Sequence, residues 1–155
     1  MDMLPVDRDA AEHWRLGTDE LTVLATCAQT CDQIFAVEIR MPPGGGPPVL
    51  HRHAPSEIYY VLDGEFTFYL GEPGHTRRFT AGPHDVVPLP GGTPHTIRNE
   101  SSSEAVAFVV HSPGATMEGF SRAAAARAAA GDFPIEEVLA LAEEHGVEML
   151  GPVSG

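Results

Sequence analysis

His51-Arg52-His53-Ala54-Pro55-Ser56-Glu57 packs two imidazoles and a carboxylate into seven residues. Side chains two apart on an extended strand point to the same side, so His51 and His53 face one point in space while Arg52 faces away. A three-residue turn containing Pro55 follows, and Glu57 then offers an anionic oxygen toward the same point. These are the donor types of a transition-metal site, and any further ligand must come from elsewhere in the chain.

Before this stretch, Ile34 to Met41 alternates, with Phe35, Val37, Ile39 and Met41 on one face and Glu38 and Arg40 on the other. That is the period of a half-buried strand. Pro42-Pro43-Gly44-Gly45-Gly46-Pro47-Pro48 comes between. Its prolines lack the donors of a central strand, so it is a turn-rich loop. It is not a domain linker, since neither flank is long enough for a separate core. After the stretch, β-favouring runs recur at short intervals: Glu57 to Leu62, Glu65 to Leu70, Thr76 to Thr80, Asp85 to Leu89, His95 to Asn99 and Ala105 to His111. Asp63-Gly64 is a hairpin signal between the first two. Gly71-Glu72-Pro73-Gly74, Ala81-Gly82-Pro83 and Pro90-Gly91-Gly92 punctuate the rest. Many short strands with such turns predict an all-β antiparallel sandwich or barrel.

Toward the N-terminus, Leu21 to Cys27 is β-favouring, and Met1 to Gly17 reads as a short helix or an arm laid over the domain. Beyond Pro113-Gly114 the Ala-rich run Met117 to Ala130 predicts a helix ended by Gly131. Pro134 to His145 predicts a second, with Pro134 at its start, Glu136 and Glu137 at its positive end and Gly146 as its stop. Neither helix can extend a sheet, so they are expected to pack outside the barrel or across one mouth. The 155 residues make one domain: an arm and first strand in 1–30, a barrel in 31–112 and helices in 115–150.

Net charge is −13 with only nine Lys and Arg. Such a surface repels phosphates, which argues against nucleic acid and anionic membranes as partners. No apolar run approaches the roughly 20 residues of a membrane span. Met1 to Asp9 is acidic and lacks the core of a signal peptide, so a cytoplasmic protein is expected. Cys27 and Cys31, the only cysteines, read as two small buried thiols, because an isolated pair lacks the other ligands zinc needs.

His95 follows the turn Pro90-Gly91-Gly92-Thr93-Pro94 far along the chain, where only the fold could bring it to His51, His53 and Glu57. Three imidazoles and one carboxylate suit a single divalent Fe, Ni, Mn, Co or Zn ion with room left for water or substrate. His13, His75, His84, His111 and His145 have no such support and read as structural or surface residues.

Gly45, five residues, His51-x-His53, three residues, Glu57, six residues and Gly64 resemble, position by position, the first motif of the cupins. Pro90-x-Gly92-x-x-His95-x-x-x-Asn99 resembles the second. One glycine of that motif is expected at position 84, where this chain has His84. It is a turn residue, so the departure bears on the entry into the strand and not on the ligands. The resemblance covers roughly residues 35–111. It implies a double-stranded β-helix, the jelly-roll barrel, holding a metal with His51, His53, Glu57 and His95. The loop Pro43-Gly44-Gly45-Gly46, the run Tyr59 to Gly64 and the tail Glu144 to Pro152 look similar to the single-domain quercetinase-like cupins of actinobacteria.

That narrower resemblance implies a quercetin 2,3-dioxygenase-like reaction, in which O₂ opens an enol-bearing aromatic ring. Glu57 would be the catalytic base and the histidines neutral donors. The partners implied are a small aromatic substrate and O₂. A flat apolar pocket would draw on Phe35, Val37, Ile39, Met41, Tyr59, Phe68, Ile97 and Phe108, with Met117 and Phe120 capping the mouth. Any one of these also serves simply to fill a barrel. A homodimer is implied too, with the arm from Met1 to Cys27 adding strands to a neighbour. Two other classes fit the same metal. One is a non-redox cyclase or isomerase of polyketide-like aromatics; the other is a small-molecule-binding module without turnover.

Overall fold

Alternation along each strand separates a core face from an outer one. On β3 (Phe35–Met41), Phe35, Val37 and Met41 are buried to 2% exposure or less. The computed structural model describes residues 4–153. In chain order the strands are β1 (His13–Leu16), β2 (Asp19–Ala25), β3, β4 (Val49–Arg52), β5 (Ser56–Asp63), β6 (Phe66–Leu70), β7 (Arg77–Ala81), β8 (Val86–Leu89), β9 (His95–Arg98) and β10 (Ala105–Ser112). Helices α1 (Ala115–Ala129) and α2 (Ile135–Glu144) follow, and β11 (Glu148–Pro152) comes last.

The strands form two antiparallel sheets, in the orders β1-β2-β3-β10-β5-β8 and β11-β4-β9-β6-β7. Their inner faces meet in one core, where Phe35, Val61, Phe66, Phe68 and Met41 are fully or almost fully buried. Phe68 lies edge-on to Tyr59 at 5.3 Å and stacks on Phe79 at 5.2 Å. Burying each such side chain contributes roughly 1.5–3 kcal/mol. The result is a jelly-roll barrel with two helices appended.

Four local expectations need correction. Asp63-Gly64 is a turn but not a hairpin, because β5 pairs with β10 and β8 while β6 pairs with β7 and β9. The turn therefore carries the chain from one sheet to the other. A side chain at Gly64 (φ +74°) would strike the Glu104 carbonyl at 2.4 Å. The segment read as a short helix or an arm carries strand β1, which pairs with β2, and β2 pairs with β3 of the same chain. Cys27 is buried but Cys31 is exposed; a single 3-10 turn (Cys27–Gln29) breaks the expected strand, and Cys31 lies just after it at φ +53°. The tail after α2 is a strand: β11 pairs with β4 and supplies an edge of the second sheet. Neither helix is long and apolar enough to cross a membrane.

The glycine-rich loop before β4 is held down by Asp19, which is 7% exposed. The Gly46 backbone N–H donates to its carboxylate. A Cβ on Gly45 would meet Asp19 Oδ1 at 2.8 Å, so this close approach needs glycine. Burial pushes the Asp19 carboxyl up to about 6, against the lowering effect of Gly46 and Thr18. His84, at the position expected to be glycine, adopts φ +74°. Its N–H donates to the Val61 carbonyl, and its Nδ1 lies 3.1 Å from Tyr60 Oη. The backbone is thus the one the motif requires, reached by a residue for which the left-handed region is costly.

Two outcomes follow from these residues. His84→Gly should stabilise the fold by about 0.5–1 kcal/mol, the released left-handed strain less one exposed hydrogen bond; a lower melting temperature would contradict this. Asp19 holds its proton in the folded state up to pH about 6, whereas its ordinary value is 3.8. Stability therefore falls as pH rises through that window. Asp19→Asn, which still accepts from Gly46, should raise the melting temperature above pH 6, by up to about 3 kcal/mol of stability. The gain should vanish below pH about 4. A gain that did not change with pH would refute the assignment.

Candidate metal centre

His51 lies on β4, His53 one residue beyond its end, Glu57 on β5, and His95 opens β9. β4 and β9 pair with His51 directly opposite His95. A nitrogen from each of His51, His53 and His95 lies within 4.8 Å of the others, the spacing of ligands around one ion. The ring centroids are 4.4 Å apart for His51 and His95 and 5.1 Å apart for His53 and His95.

Each ring is tied to a carbonyl two residues away. His53 Nδ1 is 3.0 Å from the Pro55 oxygen, His95 Nδ1 is 2.8 Å from the Thr93 oxygen, and His51 bonds the backbone of Val49. A carbonyl only accepts, so Nδ1 of His53 and His95 carries the hydrogen and Nε2 presents its lone pair inward. This is the usual way a protein orients metal-binding histidines.

Glu57, 3% exposed, faces those lone pairs. Its Oε1 is 3.1 Å from His53 Nε2, and its Oε2 is 3.2 Å from His95 Nε2. Buried polar atoms are normally paired, yet His53 Nε2, His95 Nε2 and Glu57 Oε2 have no hydrogen-bond partner. Lone pairs opposed to a carboxylate repel unless a cation sits among them. The donor set and its orphaned atoms thus fit a divalent transition metal.

The electrostatics agree. Loss of water and the neighbouring His95 push His51 down to about 3, which keeps it a neutral donor. Burial alone would raise the Glu57 carboxyl, but the imidazoles of His111, His53 and His95 hold it well below the usual carboxylate range. For His95 burial lowers the value, and Glu57 more than restores it, so the net direction is upward.

His111, read from sequence as structural or surface, belongs to this cluster. It sits on β10 directly across from Glu57, is 6% exposed, and puts Nε2 3.0 Å from Glu57 Oε1. The available signal was the inward alternation of Ala107, Val109 and His111, which ends a core strand on an imidazole. Tyr59, two residues from Glu57 on the same face, is buried, and burial and Glu57 push its phenol well above its ordinary value. Met149 was also missed. It pairs with His51 across β11 and β4. Its neighbours Arg52 and Glu148 form an ion pair at 2.8 Å on the opposite face, so Met149 shares the face of His51. His13, His75 and His84 are exposed.

The residues expected to line an aromatic pocket lie in several places. Phe35, Met41, Tyr59, Phe68 and Ile97 are buried in the core, with Ile39 packed against it. A small barrel fills its interior with side chains. Phe108 lies on the outer face of β10, between the inward residues Ala107 and Val109. Met117 packs against the core from α1, while Phe120 is half-buried with its ring 6.4 Å from that of His145.

Residues 37–111 match the family described as Cupin domain. No protein of curated function matches the chain. Among solved structures, the polyketide cyclase RemF from Streptomyces resistomycificus is similar, at 22% identity over 72% of this chain and 80% of that one, with a TM-score of 0.62. A predicted oxalate decarboxylase from Thermotoga maritima matches at 24% identity over 70% of this chain and 98% of that one, with a TM-score of 0.58. An oxalate decarboxylase from Bacillus subtilis matches at 18% identity and a TM-score of 0.60, over 74% of this chain and 31% of that longer one. The matched segment, just under half of the chain, and these neighbours support a cupin-type jelly-roll fold for this protein.

Proposed function

We propose that His51, His53, His95 and Glu57 hold one divalent transition metal ion (Fe, Ni, Mn, Co or Zn) and that the protein is a metal-dependent enzyme. Its substrate is a small aromatic bearing an enol or hydroxyl group. The orphaned Nε2 atoms of His53 and His95, facing the orphaned Oε2 of Glu57, carry this reading. A bound ion would supply Lewis acidity and make a hydroxyl beside it more acidic.

The chain's own residues then divide the work. The imidazoles, pinned through Nδ1 or the backbone, keep the donor geometry, and His51 in particular stays neutral. Glu57 receives the proton of the substrate hydroxyl. A carboxylate so strongly held is a weak base, so it takes a proton only from a hydroxyl whose acidity has been raised. Met149, beside the half-buried His51, stands on the side from which substrate approaches.

Ring opening by O₂, as in quercetin 2,3-dioxygenases, is the reaction the motif and tail resemblance supports. A non-redox cyclisation is the second reading, supported by the likeness to a polyketide cyclase. Both begin with the same deprotonation and share a substrate class.

His53→Ala and His95→Ala should each abolish stoichiometric metal in protein analysed by mass spectrometry; full occupancy in either would refute the site. With quercetin and related flavonols the metal-loaded protein should consume O₂ at an oxygen electrode. Product formation in strictly anaerobic buffer would exclude the dioxygenase and leave the cyclase reading.

A further inference from the structure

We infer that His111 is a positioning residue of the metal centre, holding Oε1 of Glu57 and thereby fixing the orientation in which the carboxylate presents Oε2 to the ion. This rests on the metal reading above and assigns a role within it to a residue outside both sequence motifs.

The geometry carries it. His111 Nε2 lies 3.0 Å from Glu57 Oε1, and its Nδ1 lies 3.3 Å from the Phe35 carbonyl oxygen. Its ring stacks on Phe35 at 5.5 Å, and Phe35 in turn stacks on Trp14 at 6.1 Å. With its hydrogen on Nε2 the imidazole donates to Glu57 Oε1, and the stacked Phe35 ring holds it over one face. His111 is not itself among the histidines whose nitrogens converge within 4.8 Å. It reaches the carboxylate from β10, the strand paired with β5, directly across from Glu57. Of the two carboxylate oxygens, Oε1 lies 3.0 Å from His111 Nε2 and 3.1 Å from His53 Nε2, and Oε2 is the one left without a hydrogen-bond partner.

A free carboxylate rotates between one-oxygen and two-oxygen binding. One whose Oε1 is held by an N–H turns less freely, and the ion meets it in a preferred orientation. Partners of this kind behind a ligand typically contribute about 10–100-fold in metal affinity. A histidine that only filled space would contribute through packing, and its loss would be felt whether or not residue 57 were a carboxylate.

The test is a Co(II) titration of the full chain, followed by the visible spectrum of the bound ion and by competition with a chelator. Wild type, His111→Ala, His111→Gln, Glu57→Gln and the double variant Glu57→Gln/His111→Ala are compared. His111→Ala should bind about 10–100-fold more weakly with an altered spectrum. His111→Gln keeps a donor in place, so it should recover most of the loss, and it answers the question if the alanine variant folds poorly. On the Glu57→Gln background, His111→Ala should cost nothing further. Equal affinity in wild type and His111→Ala, or an equal loss on both backgrounds, would overturn the assignment while leaving the metal site intact. A wild-type chain that takes up no Co(II) would overturn the metal reading itself.

Discussion

The end of the barrel is organised by one buried carboxylate. A charged Glu57 at 3% exposure has lost almost all of its hydration, and burial of that kind is tolerated only with close partners of suitable charge and geometry. Its partners arrive from separate places in the chain: His53 after β4, His95 on β9 and His111 on β10. His53 and His95 are in turn fixed by the backbone carbonyls of Pro55 and Thr93, and His111 by stacking on Phe35. The two sheets must therefore close in one register for the carboxylate to meet these residues, which couples assembly of the barrel to assembly of the site. A slip of one residue in β10 would turn His111 outward and bring Val110 or Ser112 across from the charge.

How far the sequence could be read depends on whether an interaction lies along the chain or across it. His51 and His53 were legible because one strand carries both and the period of two sets their common face. The alternation of β3 exposed its core residues for the same reason. Cross-strand neighbours were not legible. The face of His111 could be inferred from Val109 and Ala107, but nothing local says that β10 lies against β5. Asp63-Gly64 announced a turn correctly and its pairing wrongly, because turn chemistry is local and the choice of sheet is not. The edge strands β1 and β11 lacked a strong signal, since exposed edges carry mixed polar residues or Gly and Pro. The inward aromatic residues were identified as inward, but an interior this small leaves them packed on one another. Phe108 is different: β10 carries small residues inward and large ones outward, which reverses the usual reading of a bulky apolar side chain.

The C-terminal segment gains significance from the same register logic. After α2 the chain returns through buried Val147, whose N–H bonds the Ala142 carbonyl, and β11 then joins the sheet beside β4. The outward pair Arg52 and Glu148 pins that register and leaves Met149 on the ligand face. The surroundings of His51 are thus built from a strand near residue 50 and another near residue 150. That explains why the motif segment alone, residues 37–111, describes the ligands but not what stands next to them.

A proton and a metal ion compete for the same gap. Without an ion, three imidazoles and one carboxylate must still reach a tolerable charge state. His51 cannot take the proton, since loss of water and its neighbours push it down to about 3. His95 can, because Glu57 draws its value up past the lowering effect of burial. A histidine raised in the folded state stabilises the fold at low pH, and the contribution is lost as pH rises through its folded value. Glu57, held low, behaves in the opposite sense: its contribution is present above the ordinary carboxylate range and is lost as pH falls through its folded value. At higher pH the carboxylate therefore keeps its charge while the neighbouring proton leaves, and the gap becomes a site with net negative charge and two inward lone pairs. A divalent ion would fill it by displacing that proton, so its hold should strengthen in the range where the proton's weakens.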